Sequence, residues 1–315
     1  MSDFGDSGAL NGYVPFGRSG ANPEQNPTVA AVVLSATLRS MRLSRKAKQT
    51  AAAEGGKMSP SKLCKLERGT ELPGQRDVEL LADFYDASST EKAWLVLLTK
   101  LARQPPAWMR AGISPPPFMS HLVGLEPAAE ELCTYEVLLL SGLLQTESYM
   151  RAVMVRSEPP LDRDEVEERV RLRLYRQAQL FADLPHCVFL LDENILHRRI
   201  GTRDTMVDQM DHLAKVAEDT RIQIRILPMD GDQILSNLVS LTRLQFGRTV
   251  TGLPSVIYME THESSKYFAK GDKPEKKSDP SYERLNTTLT KLLGTAADRD
   301  VSLEMVRQAR QRFSR

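Results

Sequence analysis

Apolar residues recur with a helical period over the first third of the chain. Stripes at three- and four-residue spacing predict helices over residues 29–44 and around residues 78–85. Shorter helices are predicted over 49–54, which the pair Gly55-Gly56 closes, and around 94–101. With one more helix, described next, the pattern predicts five short helices in one compact all-α domain.

The additional helix lies in the stretch MSPSKLCKLERG, residues 58–69. Ser59 is a good N-cap, Pro60 suits the first helical position, and a glycine follows the last turn. Leu63, Leu66 and Glu67 share one face of this helix. A carboxylate on the leucine side of a helix needs a partner, because an unpaired buried charge is costly.

Beyond a proline-rich segment at 104–121 the pattern changes. Long helices are predicted near 126–155 and 162–183. Short β-branched runs with alternating polarity predict strands. The four predicted strands cover residues 187–192, 221–228, 238–246 and 255–260.

A charged loop at 270–280 and two closing helices at 281–293 and 301–312 complete the chain. Residues 122–315 are therefore predicted to form an α+β domain with an antiparallel sheet. The Pro-rich segment 104–121 is predicted to be a linker, and 28–103 the all-α domain. Residues 1–27, rich in Gly, Asn, Ser and Pro, are predicted to be disordered.

The composition narrows the class of protein. With 315 residues, 41% hydrophobic and 26% charged, the chain has the size and balance of a globular protein of two domains. No apolar run is long enough to span a membrane, and the N-terminus has no signal-peptide character. Three widely spaced cysteines fit neither a disulfide framework nor a zinc site. We therefore expect a cytoplasmic protein with no membrane partner.

The net charge of +1 hides an uneven distribution. Residues 28–69 contain nine Lys or Arg and two Glu, which gives this segment a net charge of +7. Such a concentration of basic residues is the electrostatic footprint expected for a protein that binds a polyanion.

The α+β domain shows no catalytic constellation. Its histidines are scattered and form no metal-binding pair, and no nucleophile or phosphate-binding motif is present. Asp192-Glu193 is interpreted as a strand end that caps the next helix, and Arg169 and Arg171 as surface pairs with preceding glutamates. We expect no enzymatic activity, no metal and no cofactor.

The stretch 59–69, together with Leu38, Met41, Arg42 and Gln49, resembles the helix-turn-helix of phage-repressor and Xre-type regulators. The resemblance implies a five-helix, lambda-repressor-like domain whose third helix enters the major groove of operator DNA. It also implies that Gln49 holds a phosphate and that Arg42 pairs with Glu67, which would explain the inward glutamate. The remaining predicted DNA contacts are Ser59, Pro60, Ser61, Lys62, Lys65 and Arg68.

Two features depart from that family pattern. Lys46-Ala47-Lys48 stands where a Gly-Leu-Thr lead into the second helix is usual, which removes a cap and some core. The second helix, with Ala51-Ala52-Ala53 followed by Gly55-Gly56, has smaller side chains, and looser packing is expected.

The rest of the chain is similar to a C-terminal domain of unknown function that actinobacterial regulators join to this helix-turn-helix. The similarity lies in the stretches SGLLQTESYMRAVM, EERVRLRLYRQAQL, LDENILHRRIG, RIQIRILP and VIYMET. It implies a small protein partner encoded nearby and developmental or toxin–antitoxin-like roles. Arg176-Gln177 is the candidate contact for a partner or effector.

The sequence thus favours a sequence-specific transcription regulator, and we expect it to act as a homodimer because one recognition helix reads few base pairs. The alternatives are an antitoxin-like protein that acts mainly through protein–protein binding, and an enzyme with a helix-turn-helix docking domain.

Overall fold

The computed structural model describes residues 26–230, 239–247, 253–260, 264–270 and 281–315. The described residues divide into two compact units, one formed mainly by residues 26–110 and the other by the described part of 111–245 and 255–315. The predicted disordered N-terminus and nearly all of the predicted charged loop at 270–280 lie outside the described residues.

The first unit is helical. Asn26 caps its first helix by accepting from the backbone amides of Thr28 and Val29. Val29, Leu34 and Leu38 are fully buried on the inner face of this helix. The helices are α1 Pro27–Ser44, α2 Gln49–Gly55, α3 Pro60–Glu67, α4 Gln75–Phe84, α5 Ser89–Ala102 and α6 Ala107–Arg110.

The second helix packs more tightly than its small side chains suggest. Ala52 and Ala53 have no exposed surface. A Cβ added at Gly55 would lie 2.1 Å from the Phe84 ring, and one added at Gly56 would lie 2.8 Å from a methyl group of Leu81. The expectation of loose packing is wrong, because the glycines let α2 approach α4 more closely than a side chain would allow.

The turn that leads into α2 is one of the strained parts of this unit. Lys46 has a φ of 51°, in the left-handed region that favours glycine, and Lys57 before α3 has a φ of 52°. Lys48, the N-cap residue of α2, makes no side-chain capping hydrogen bond. The predicted loss of a cap at this position is therefore confirmed.

Lys46→Gly should stabilise the first unit by about 0.5–1 kcal/mol. Glycine relieves the strain of the left-handed conformation, and this gain exceeds the cost of the entropy that glycine adds to the unfolded chain. Urea denaturation followed by tryptophan fluorescence measures this, since both tryptophans, Trp94 and Trp108, belong to the first unit. Lys100→Gly, within α5, is the control and should cost about 1 kcal/mol. A loss of stability in Lys46→Gly would contradict the strain argument.

The second unit combines helices with a six-stranded sheet. Its strands are β1 Glu131–Glu136, β2 His186–Asp192, β3 Ile222–Leu227, β4 Leu241–Gln245, β5 Val256–Glu260 and β6 Ser265–Ala269. Its α-helices are α7 Ser120–Leu125, α8 Glu147–Met154, α9 Arg163–Ala182, α10 Asn194–His197, α11 Arg203–Val216, α12 Tyr282–Thr295 and α13 Arg299–Ser314. Single 3-10 turns at Pro117–Met119 and Glu126–Ala128 flank α7.

The strand order is β3-β2-β1-β4-β5-β6, with β1, β2 and β3 parallel and β4, β5 and β6 antiparallel. The sheet is mixed, so the prediction of an antiparallel sheet is wrong. The reason lies in the connections: β1 and β2 are joined through α9, and β2 and β3 through α11. Crossovers of this length return the chain to the same edge and so produce parallel pairs.

The prediction of one helix over 126–155 is also wrong. β1 occupies Glu131–Glu136 at the centre of the sheet, and α8 begins only at Glu147. Four successive residues of β1 are buried, because a central strand is covered on both faces. A short apolar run of this kind has no alternation that would distinguish it from a buried helical turn.

The two faces of the sheet have different character. One face packs against α12 through an apolar core that includes Tyr135, Leu190 and Ile257 from the strands and Leu289 from the helix. On the opposite face, Thr134 aligns with Thr242, Tyr258 and Tyr267 on successive strands. This row of threonines and tyrosines carries hydroxyl groups, whereas the covered face of a sheet is normally apolar.

Candidate nucleic-acid interface

The third helix is fixed by its leucines and its cap. Leu63 and Leu66 have no exposed surface, and the Ser59 hydroxyl accepts from the Lys62 backbone amide at 3.1 Å. Pro60 and Ser61, on the first turn, are exposed together with Lys65 one turn later. The helix thus presents a short, solvent-facing surface of small and basic side chains next to its N-terminus.

The glutamate on the inner side of α3 has its partner in α1. Arg42 Nε and Nη2 donate to the two Glu67 carboxylate oxygens at 2.6 and 2.9 Å, and Nη1 donates to the Ala47 carbonyl at 3.1 Å. The side chains are 13% and 4% exposed. The hydrogen bond that Arg42 donates to Glu67 holds the pKa of Arg42 above its usual value. The structure thus brings together the two residues of the proposed structural ion pair.

Gln49 belongs to the same cluster. Its amide Nε2 donates to Glu67 Oε2 at 3.1 Å, so one amide hydrogen faces the carboxylate and the group sits at the start of α2. The amide carries a second hydrogen that can serve a phosphate. The buried ion pair therefore orients the residue that the resemblance assigns to the DNA backbone.

The Tyr85 hydroxyl is buried beside this cluster and has no hydrogen-bond partner among the described residues. Burial, followed by the nearby Glu67 charge, raises the pKa of Tyr85 to about 12. The tyrosine therefore remains neutral over the whole physiological range and adds no charge to the pair.

Lys62 is held by a residue that the sequence reasoning missed. Its Nζ donates to Asp77 Oδ1 at 2.8 Å, and the Asp77 carboxylate also accepts from the Gly74 amide at the start of α4 at 2.9 Å. A phosphate that engages Lys62 must therefore compete with Asp77. The sequence gives no signal for this ion pair, because the two residues lie 15 positions apart on different helices.

The other predicted contacts are distributed around the same end of the unit. The Lys65 ammonium lies 3.9 Å from the Glu71 carboxylate with its side chain 60% exposed, so this pair is weak. Arg68 is exposed at the C-cap of α3. Lys48 and Lys57, which the sequence reasoning did not single out, are also exposed in the turns that flank α2.

In the second unit, Arg176 and Gln177 have internal partners. Arg176 donates to both oxygens of Glu126 at 2.9 and 2.6 Å, with the side chains 10% and 6% exposed. Gln177 Nε2 donates to the Gly142 and Gln145 carbonyls at 2.8 Å. Arg176 ties α9 to the turn before β1, and Gln177 ties it to the chain that follows β1. Any contact of theirs with a partner must coexist with these bonds.

The acidic pair after β2 has a structural role. The Asn194 backbone amide donates to Asp192 at 3.0 Å, and the Met229 amide donates to Glu193 at 2.9 Å. The interpretation as a strand end that caps the next helix agrees with the bond to Asp192, whereas Glu193, the N-cap residue of α10, makes no side-chain capping hydrogen bond. In the described part of the chain, no cluster of three or more His, Cys, Asp or Glu is arranged to hold a metal ion.

Comparison with known families agrees with this division. Residues 33–95 match the helix-turn-helix domain family, and residues 119–308 match the domain of unknown function DUF5753. Since the second match covers more than half of the chain, the protein belongs to the DUF5753 family. The helix-turn-helix match indicates a DNA-binding regulator. No curated protein and no solved structure shows significant similarity to the chain.

None of the helices within the described ranges has both the length and the apolar character that a bilayer span requires.

Proposed function

We propose that the protein is a sequence-specific transcription regulator of the Xre type, which binds operator DNA as a homodimer through α2 and α3. The observation that carries this proposal is the division of α3 into two faces. Leu63, Leu66 and Glu67 are all turned inward, whereas Ser61 and Lys65 are exposed on the opposite side. An exposed basic helix face of this kind suits the major groove, in which base edges accept hydrogen bonds.

We further propose that the second unit receives a small protein partner or an effector and that the protein is cytoplasmic, with no enzymatic activity of its own. The resemblance to actinobacterial developmental and toxin–antitoxin-like regulators supports a partner encoded nearby. The large second unit, with its buried polar groups on one sheet face, supports a receiving role.

The test of DNA binding rests on Lys65. Lys65→Ala should cost about 1–3 kcal/mol on the true operator and reduce the preference at one base position in each half-site, because a lysine can donate to guanine O6 or N7. Binding titrations against the operator and its single-base variants, at several salt concentrations, measure both effects. If the ranking of the variants stays unchanged in Lys65→Ala, this lysine contacts phosphate only.

Lys62→Ala is the matched comparison on the same helix. It should weaken binding to all sequences alike and lower the salt slope by about one unit per site, as expected for a lost phosphate contact. Asp77→Asn should have the opposite effect and strengthen binding, because it releases the Lys62 ammonium from its internal partner. Equal salt slopes for wild type and Lys62→Ala would exclude Lys62 from the backbone contacts.

A further inference from the structure

The polar face of the sheet carries charged groups at the edge where β1 and β5 both end. Glu136 ends β1 and Glu260 ends β5. Tyr135, Leu241 and Met259 align across the sheet, so Glu136 and Glu260, each one position further along, lie in the next row, on two strands that β4 separates. Ligand sites of open α/β sheets occur at this edge of the strands.

Arg173 and Arg176 of α9 lie close enough to Glu260 for its charge to favour their protonated forms, and their ion-pair partners differ. Arg176 is satisfied by its bidentate pair with Glu126. Arg173 forms no ion pair among the described residues, and its Nη1 donates to the Arg169 carbonyl at 3.3 Å. Burial, followed by the charge of Arg176, lowers the pKa of Arg173 to about 10. The charge of Glu260 acts in the opposite direction, so the partly buried Arg173 guanidinium has an acidic group nearby but no ion pair among the described residues.

The Arg173 side chain is also held in place. A Cβ added at Gly142 would lie 3.4 Å from both Cγ and Nε of Arg173, so the backbone at Gly142 packs directly against the arginine stem. The adjacent residue Gln177 fixes the same backbone segment through the Gly142 carbonyl. A group that is positioned in advance loses little freedom when a ligand binds.

Glu136 provides the second unusual group. Burial raises the pKa of its carboxyl to about 7, against hydrogen bonds from the Ser240 and Ser141 hydroxyls and the charge of Arg176. The Thr134 hydroxyl, two residues earlier on the same face, is buried without a hydrogen-bond partner in the described part of the chain. The patch thus combines an arginine that has no ion pair within the described ranges with a carboxyl that is partly protonated near neutral pH.

We propose that this patch, formed by Arg173, Glu136 and Glu260, binds a small organic anion whose carboxylate or phosphate pairs with Arg173 and whose hydroxyl or amino group hydrogen-bonds to Glu136. The inference rests on the proposed effector-binding role of the second unit and names the chemistry of the effector. Because ligand binding is measured without DNA, its failure is distinguishable from a failure of operator binding.

The experiment uses L-malate and inorganic phosphate as probes on the full chain, with sodium chloride at equal ionic strength as reference. The melting transition is followed by far-UV circular dichroism. At least one probe at saturating concentration should raise the Tm of the wild type by about 2–4 °C. Malate active alone identifies a carboxylate ligand, and phosphate active alone identifies a phosphorylated one.

Arg173→Gln should abolish this rise, whereas Arg169→Gln, an arginine one turn earlier on the same helix, should retain it. Without a probe, Arg173→Gln should melt no lower than the wild type, because glutamine keeps the first part of the stem that packs against Gly142 and removes a partly buried charge that has no ion pair among the described residues. No shift with either probe, an equal shift in Arg173→Gln, or a failure of Arg173→Gln to fold would each overturn the proposal.

Discussion

Glu67→Ala is expected to lower the free energy of unfolding of the first unit by about 3–5 kcal/mol, because it leaves the buried Arg42 guanidinium without its counter-charge. Three hydrogen bonds converge on the Glu67 carboxylate, two from Arg42 and one from Gln49. Urea denaturation followed by tryptophan fluorescence isolates this unit, since Trp94 and Trp108 both lie in it. The variant should also lose DNA binding although Glu67 faces away from the DNA-binding surface.

Two further variants separate the buried charge from the contact. Arg42→Met combined with Glu67→Leu should recover much of the lost stability, because no charge is then stranded. Arg45→Met removes the pair with Asp86, whose side chains are 47% and 74% exposed, and should cost about 0–1 kcal/mol. A fully stable Glu67→Ala protein, or a double variant as unstable as Glu67→Ala, would show that the pair has no structural role.

The local structure around α3 could be predicted because its signals are local. Ser59, Pro60 and the spacing of Leu63 and Leu66 act within one helix, and the helix begins at Pro60 as the pattern predicts. The strained Lys46 was visible as a departure from a known pattern. The sequence predicts loose packing at Gly55 in α2, and this is wrong because the space beside Gly55 is filled by Phe84, 29 positions later.

The sheet was harder to predict because its pairing is non-local. β1 is read as part of a helix when its neighbours in the sheet, β2 and β4, are unknown. The parallel pairing did leave a signal, which is the alternation of strand, helix and strand across β2, α11 and β3. That alternation is typical of βαβ units, and the order of elements carried more information than the polarity of each strand.

The partners of the polar side chains could not be read from the sequence at all. Gln49 could be assigned to a phosphate by resemblance, yet its hydrogen bond to Glu67 follows from the crossing of two helices. The Lys62–Asp77 pair and the position of Arg173 beside Gly142 depend likewise on tertiary packing. The partner that each basic side chain finds in the folded protein decides whether it is available to a ligand. The sequence therefore predicts which residues form a site better than it predicts the charge of that site.

Glu126→Gln is expected to have the largest effect on the second unit, with a loss of about 3–5 kcal/mol, because it strands the Arg176 guanidinium. Burial opposes the charged form of Arg176, and the Glu126 charge and its hydrogen bonds are the main contributions that raise the pKa of the arginine above its usual value. The two residues are 50 positions apart, so the pair ties the turn before β1 to the middle of α9.

Glu167→Gln provides a control with the same chemistry at the surface. Glu167 accepts from Arg151 Nη1 and Nη2 at 2.6 and 3.0 Å, but both side chains are well exposed, so water replaces the lost bonds and the effect should be much smaller. Urea denaturation followed by far-UV circular dichroism should show the loss in a transition that tryptophan fluorescence does not follow. If the two glutamine variants lose equal stability, Arg176 has found another carboxylate, for which Glu260 is a candidate because its charge already acts on Arg176. The carboxylates at this edge of the sheet would then neutralise the arginines of α9 without a bound ligand.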